Sequence, residues 1–131
     1  MNIVVGFINT AEGRAGLARA IEEARLRGAR LVVVRSTHGR EPDEEVVTYR
    51  EELSEVEHQL AEAGVPHSVH LLARGNSPGE DLIQVASEEE AEMIVIGLRR
   101  RSPVGKALLG SNAQGILLDA DCPVLAVKAS E

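Results

Sequence analysis

The chain has few aromatic residues and a single cysteine. Among its 131 residues there is one Phe, one Tyr and no Trp, so aromatic residues amount to 2%. This scarcity argues against functions built on aromatic stacking, such as single-strand nucleic-acid binding and recognition of quaternary ammonium groups. Cys122 has no second cysteine with which to form an internal disulfide, which fits a reducing compartment.

Positive charge is also scarce. The chain has 14 Lys and Arg against 21 Asp and Glu, a net charge of −7, which argues against general attraction to nucleic acid or to an anionic membrane. No apolar run approaches the roughly 20 residues that cross a bilayer, and the first apolar run is too short for a signal peptide. We therefore expect a cytoplasmic protein with no nucleic-acid or membrane partner.

The hydrophobic residues, 44% of the chain, fall into two alternating kinds of segment. Short runs rich in β-branched residues predict strands that are buried on both faces. They lie at 3–8, 31–34, 93–97 and 123–127, with a mixed run at 67–73 that suits a sheet edge. Helical periodicity predicts helices at 11–27, 43–63, 77–90 and after Ser111. The alternation predicts a single α/β domain, 1–131, with an open five-stranded parallel sheet covered by helices on both faces.

Local signals mark several helix ends. Ser77, Pro78 and Glu80 have the spacing of a capping box with proline in the first turn, and Gly28 is typical of a residue that stops a helix. In the fourth helix we expect Ile116 and Leu117 to point inward.

One segment carries phosphate-binding chemistry. From Gly97 to Ser111 the chain has four basic residues and no acidic one, and it follows a predicted strand, where open parallel sheets bind ligands. Glycine lets a phosphate approach the backbone, and Gly110-Ser111 opens a predicted helix whose first amides attract anions. The alternative is a turn that the fold itself needs, with the arginines as a solvated loop.

This segment resembles the phosphate-binding signature of the universal stress protein family, Gly-x2-Gly-x9-Gly-(Ser/Thr). The flanks agree: 93–97 resembles the family's fourth strand and 121–128, DCPVLAVK, its last strand. The resemblance extends over the whole chain. It implies an adenine nucleotide alpha hydrolase-like fold with strand order 3-2-1-4-5. It also implies a cytoplasmic, dimeric regulator or sensor that binds ATP or AMP, with Mg²⁺ only alongside ATP.

The resemblance also implies site residues. Those near the phosphates would be Gly97, Arg99, Arg100, Gly110, Ser111 and Asn112. Those near the base would be Ile8, Asn9 and Ser36. In the family the last strand pairs with its counterpart across a two-fold axis, which implies a homodimer interface at Val124, Leu125, Ala126 and Val127.

Two positions depart from the family's pattern. Arg100 stands where the signature has its second glycine, and Ile8 stands where nucleotide-binding members carry an Asp. These departures favour an alternative in which the fold is kept, the nucleotide pocket is lost and the protein is a dimeric interaction module. Because no catalytic pair and no metal-ligand cluster is evident, we expect no enzymatic activity beyond, at most, slow ATP hydrolysis.

Overall fold

The structure is a computed structural model that describes residues 1–99 and 110–129. Within these residues five parallel strands form one sheet in the order β3-β2-β1-β4-β5, as the resemblance implied. The strands are β1 (Asn2–Gly6), β2 (Arg30–Ser36), β3 (His67–Leu72), β4 (Met93–Leu98) and β5 (Val124–Lys128). The helices between them are α1 (Ala11–Arg27), α2 (Asp43–Glu62), α3 (Pro78–Glu88) and α4 (Ser111–Asp119).

Both faces of the sheet are covered, which explains why the strand sequences are almost continuously apolar. Val4 and Val5 point to opposite faces of β1, and each is 0% exposed. Val5 belongs to a core formed with α1 and α2, whereas Val4 belongs to a second core formed with α3 and α4. The predicted layers are therefore confirmed, with β3 at one edge of the sheet.

The direction of winding reverses between β1 and β4. The chain leaves β1 over one face through α1 to reach β2, but it enters β4 from α3 on the other face. The two strands are neighbours, with Val5 in register with Val95. Because the connections diverge at this point, a crevice opens beyond the carboxyl ends of β1 and β4.

The helix ends follow local chemistry. The Ser77 hydroxyl accepts from the Glu80 backbone N–H at 3.2 Å and the Glu80 carboxylate accepts from the Ser77 N–H at 2.8 Å, so the predicted capping box is confirmed. Gly28 ends α1 with a φ of 61°, also as predicted. The expectation for Leu117 was wrong. Ile116 is 2% exposed but Leu117 is 42% exposed, because α4 is a short helix that packs through one narrow stripe.

None of the helices in this part of the chain combines the length and the apolar character needed to cross a membrane.

Candidate functional site

A cavity of about 210 Å³ opens at the crevice beyond β1 and β4. Its apolar walls come from both cores and from the strand ends, and they include Phe7, Val34, Leu82, Ile96 and Ile116. Three residues with polar side chains also line it, Glu12, Ser36 and Asn112. A largely apolar cleft with a few polar groups is the usual form of a small-molecule site.

Three helices begin around this cavity. Glu12 and Gly13 of α1, Pro78 of α3 and Asn112 of α4 all line it. The N-terminal amides of a helix and its dipole favour negative charge nearby. The cavity therefore lies where three such ends converge, which suits an anionic small molecule.

Asn112 joins two of these helix ends. Its carboxamide oxygen accepts a hydrogen bond from the Gly79 backbone N–H at 3.2 Å. A Cβ atom on Gly79 would lie 3.3 Å from that oxygen, so a side chain there would crowd the contact. Because the oxygen is engaged with α3, the carboxamide nitrogen is the group with which Asn112 can meet a phosphate.

Gly97 lines the cavity and also permits close packing behind it. A Cβ atom on Gly97 would lie 1.9 Å from the carbonyl oxygen of Glu12, and one on Gly16 would lie 3.1 Å from the Gly97 nitrogen. The first turns of α1 thus cross β4 almost backbone to backbone. A structural need for this glycine exists whether or not a ligand binds.

Gly110 and Ser111 stand at the exposed beginning of α4. Gly110 is the residue before the first helical turn, and its own residue type offers no side chain to cap this end; among residues 1–99 and 110–129 no capping side-chain hydrogen bond is present here. A Cβ atom on Gly110 would have no atom of the described chain within 4 Å. The packing argument that explains Gly97 therefore does not apply to Gly110, and the uncapped end remains suited to an anion.

Glu12 brings negative charge to the wall of the cavity. Its carboxylate pairs with the Arg99 guanidinium, the Nε–Oε2 distance being 3.4 Å, although the Arg99 side chain is 86% exposed. Hydrogen bonds from its own backbone amide and from Thr10, together with the Arg99 charge, lower the pKa of Glu12. The carboxylate is therefore ionised at neutral pH. Arg99 offsets this charge, but the first turn of α4 holds no acidic residue at all, so the α4 side of the cavity suits an anion better than the α1 side.

The remaining residues predicted for the site fall in different places. Ser36, the last residue of β2, lines the cavity, and Ile8 lines it with 44% of its surface exposed. Asn9 lies apart: its side-chain oxygen accepts from Arg14 at 3.0 Å, and it borders a separate cavity of about 140 Å³. The prediction for Arg100 falls outside the described residues.

A buried acid beside Ser36 was not predicted. Asp81 is 0% exposed, and it accepts hydrogen bonds from the Ser36 hydroxyl and, at 3.1 Å, from the Asn76 side chain. The available signal was its position in α3, four residues before the buried Val85 and so on the same helix face. An acidic residue on the apolar face of a helix indicates a specific partner, because an unpaired buried carboxylate is costly.

Residues 1–99 and 110–129 contain no group of three or more His, Cys, Asp or Glu side chains arranged to hold a metal ion. Cys122 is half-buried, and burial raises the pKa of its thiol. A thiol with a raised pKa is a poor nucleophile at neutral pH.

The predicted dimer strand, β5, lies at an edge of the sheet beside β4. The Pro123 carbonyl accepts from the Ile94 N–H at 3.0 Å, and the Ala129 N–H donates to Leu98 at 3.3 Å. Backbone groups alternate in direction along a strand, so the odd-numbered residues face β4. Val124, Ala126 and Lys128 direct their N–H and C=O groups outward.

Comparison with known proteins shows the family to which this chain belongs. The sequence model of the universal stress protein family matches residues 1–128. The chain belongs to the universal stress protein family. A family protein from Mycolicibacterium smegmatis is 40% identical over 126 residues, which are 96% of each chain. The structure of a universal stress protein from Archaeoglobus fulgidus superposes with a TM-score of 0.84 at 41% identity, covering 98% of both chains. The fold is thus the adenine nucleotide alpha hydrolase-like fold that the sequence resemblance implied.

A second structure from the family is a nucleotide complex. A universal stress protein from Archaeoglobus fulgidus in complex with dAMP superposes with a TM-score of 0.75. It is 34% identical to this chain and the match covers 98% of both chains.

Proposed function

We propose that this universal stress protein is a cytoplasmic, homodimeric regulator or sensor that binds an adenine nucleotide, ATP or AMP. The observation that carries the proposal is the cavity beyond β1 and β4, around which α1, α3 and α4 begin. The dAMP complex of the 34% identical Archaeoglobus fulgidus protein supports the class of ligand. The lone cysteine supports a reducing compartment.

The shape and charge of the cavity suggest how the nucleotide lies. The base occupies the apolar part near Ile8 and Ser36, and the phosphates point towards Ser111 and Asn112 at the beginning of α4. Arg99 adds positive charge from the loop after β4, and it offsets the Glu12 carboxylate that it contacts. Mg²⁺ would enter only as the counterion of bound ATP.

Binding rather than catalysis is the proposed activity. Glu12, an acid on the cavity wall, is a weak base, since its own backbone amide, Thr10 and Arg99 lower its pKa. A general base works best with a pKa near the operating pH. We therefore propose that any ATP hydrolysis is slow and that the nucleotide acts as a signal.

Calorimetric titration of the full chain with AMP, and with ATP with and without Mg²⁺, tests the proposal. Ala113, which lines the cavity from α4, provides a blocking variant. Ala113→Leu fills the cavity and should weaken binding at least tenfold. Gly115→Ala is the matched control on the same helix, because a Cβ there meets no described atom within 4 Å. Absence of binding to wild type at millimolar nucleotide would contradict the proposal, as would full affinity in Ala113→Leu.

The alternative function is an interaction module that has lost its nucleotide. The observation that favours it is Ile8, an aliphatic side chain that is 44% exposed at the cavity where the family resemblance implies an Asp. Arg100, at the position of a glycine in the signature, is the second departure. If wild type is silent but the double variant Ile8→Asp, Arg100→Gly binds AMP, the alternative is correct.

A further inference from the structure

We propose that a recess beside α2 is a second ligand site, which binds a monocarboxylic acid with an apolar body through the guanidinium group of Arg35. The recess has a volume of about 600 Å³ and lies between the carboxyl end of β2, the loop 37–42 and the first two turns of α2. It shares Ile8, Ser36 and Pro78 with the cavity beyond β1 and β4, but its other walls are separate. The inference does not depend on nucleotide binding.

Arg35 places a positive charge where the core between the sheet and α2 ends. It follows Val33 by two residues on β2, so both side chains leave the same face of the sheet, and Val33 is buried in the core with α1 and α2. The guanidinium carbon of Arg35 lies 4.0 Å from the centre of the Tyr49 ring on α2. This cation–π contact holds the planar guanidinium group at the wall of the recess.

The protein supplies no counter-charge in contact with Arg35. Its side chain is half-buried, whereas every other arginine within residues 1–99 and 110–129 is exposed. Its Nε is buried and has no hydrogen-bond partner in this part of the chain. A donor that is shielded from water and left without an acceptor is unfavourable, so the arrangement indicates that the counter-charge comes from a ligand. The terminal nitrogens are not enclosed in this way, and they are the donors that a ligand carboxylate can reach.

Two glutamates restrict the ligand to a single negative charge. Glu41 and Glu45 line the recess together with Arg35 and Arg40. Both carboxylates already have donors from the protein: Glu41 accepts from two backbone N–H groups of the loop at 3.0 Å, and Glu45 accepts from the Tyr49 hydroxyl at 3.2 Å. A second negative charge on the ligand would face these carboxylates. A monocarboxylate therefore fits the recess better than a phosphate monoester.

The ligand also needs an apolar body. Ile8, Pro42 and Pro78 line the recess beside the Tyr49 ring, and Ile8 is 44% exposed. Covering this surface would remove apolar area from water, which is favourable. A cleft of several hundred Å³ with apolar walls and one positioned charged group is the usual form of a site for a small amphipathic molecule.

Calorimetric titration of the full chain with phenylacetate and with its neutral amide, phenylacetamide, tests the inference. The two probes share one carbon skeleton and differ in charge, so wild type should bind the acid at least about tenfold more tightly, because charge-assisted hydrogen bonds are the stronger ones. Arg35→Gln should weaken phenylacetate binding by a similar factor. Arg30→Gln is the matched control, since it removes the same charge from the exposed opposite end of β2 and should leave the Kd unchanged. The comparison of acid with amide uses wild type alone, so the test stays decisive if Arg35→Gln does not fold.

The blocking variant Ala113→Leu shows which of the two spaces the probe occupies. It fills the cavity beyond β1 and β4 and should leave phenylacetate binding intact, because Ala113 does not line the recess. Equal affinities for acid and amide, full affinity in Arg35→Gln, an equal loss in Arg30→Gln or loss of binding in Ala113→Leu would each overturn the inference. Absence of phenylacetate binding at millimolar concentration would overturn it as well. The proposed nucleotide binding is measured separately with AMP and ATP, so it can stand or fail independently.

Discussion

A Cβ atom placed on Gly97 would lie 1.9 Å from the carbonyl oxygen of Glu12. The same turn of α1 is tight on its other side, where a Cβ on Gly13 would lie 1.8 Å from the carbonyl oxygen of Ile8. The first glycine of the family signature is therefore required by the packing of α1 against β4. The same packing forms one wall of the cavity, so Gly97 contributes to the site by allowing α1 to lie close to β4.

The packing contact predicts the effect of Gly97→Ala. Both partners of the contact are backbone, so neither can move aside, and the variant should lose at least about 2 kcal/mol of unfolding free energy. Urea denaturation monitored by circular dichroism measures the loss. Gly115→Ala, in open space within α4, should instead gain up to about 1 kcal/mol from helix propensity. Equal stability of Gly97→Ala and wild type would contradict the packing argument.

Gly110→Ala should change the stability of the protein little but should weaken nucleotide binding. A Cβ at Gly110 meets no described atom within 4 Å, so the variant should cost at most about 1 kcal/mol, the usual difference between Gly and Ala before a helix. Under the proposed function it should weaken AMP binding at least tenfold, because the methyl group stands where phosphate approaches the first amides of α4. Calorimetry with AMP measures this. An unchanged Kd would show that phosphate does not use this helix end.

The fold could be predicted from the sequence because its signals are local and repeated. Val4 and Val5 are both buried, which produces a near-continuous apolar run, and Ser77 with Glu80 fixes a helix start within four residues. The exception, Leu117, lies on a helix of nine residues, too short for periodicity to define the buried face.

The site could be predicted only in part. The family resemblance implied Ser36, Gly97 and Asn112, and all three line the cavity at the carboxyl ends of the strands. Asn9 was named for its place after β1, but Arg14 holds its side chain elsewhere. Asp81 was missed because no short motif connects it with the donors that make its burial tolerable. Ser36 lies 45 residues earlier in the chain, and Asn76 lies in the loop before α3.

The capping box predicts a pH dependence of stability. Hydrogen bonds from the Ser77 backbone N–H and the Ser77 hydroxyl lower the pKa of Glu80 from its ordinary value of 4.5. A carboxyl whose pKa is lower in the folded state stabilises the fold above 4.5, and this contribution is lost as the pH falls through the folded value. Glu80→Gln keeps a capping side chain without the charge.

Unfolding free energies of wild type and Glu80→Gln at several pH values between 7 and 3 measure the effect. The advantage of wild type should be largest at neutral pH and should shrink below about pH 4.5, since the unfolded carboxyl titrates there. A difference between the two proteins that stays constant over this range would contradict the role of the ionised carboxylate.

The outer edge of β5 predicts how to separate the proposed homodimer. Ala126 is exposed, and its N–H points away from β4, so Ala126→Pro removes a donor from the free edge without removing a hydrogen bond to β4. If two copies pair along this edge, the proline variant should elute with the mass of one chain and wild type with twice that mass. Size-exclusion chromatography with light scattering makes the measurement, and Ala126→Ser, which retains the N–H, is the matched control.

If Ala126→Pro is still a dimer, the interface lies on another surface of the protein. If wild type is a monomer at micromolar concentration, the proposed homodimer is contradicted. Because the substitution leaves the β4 ladder intact, a change of mass with unchanged circular dichroism reports on the edge alone.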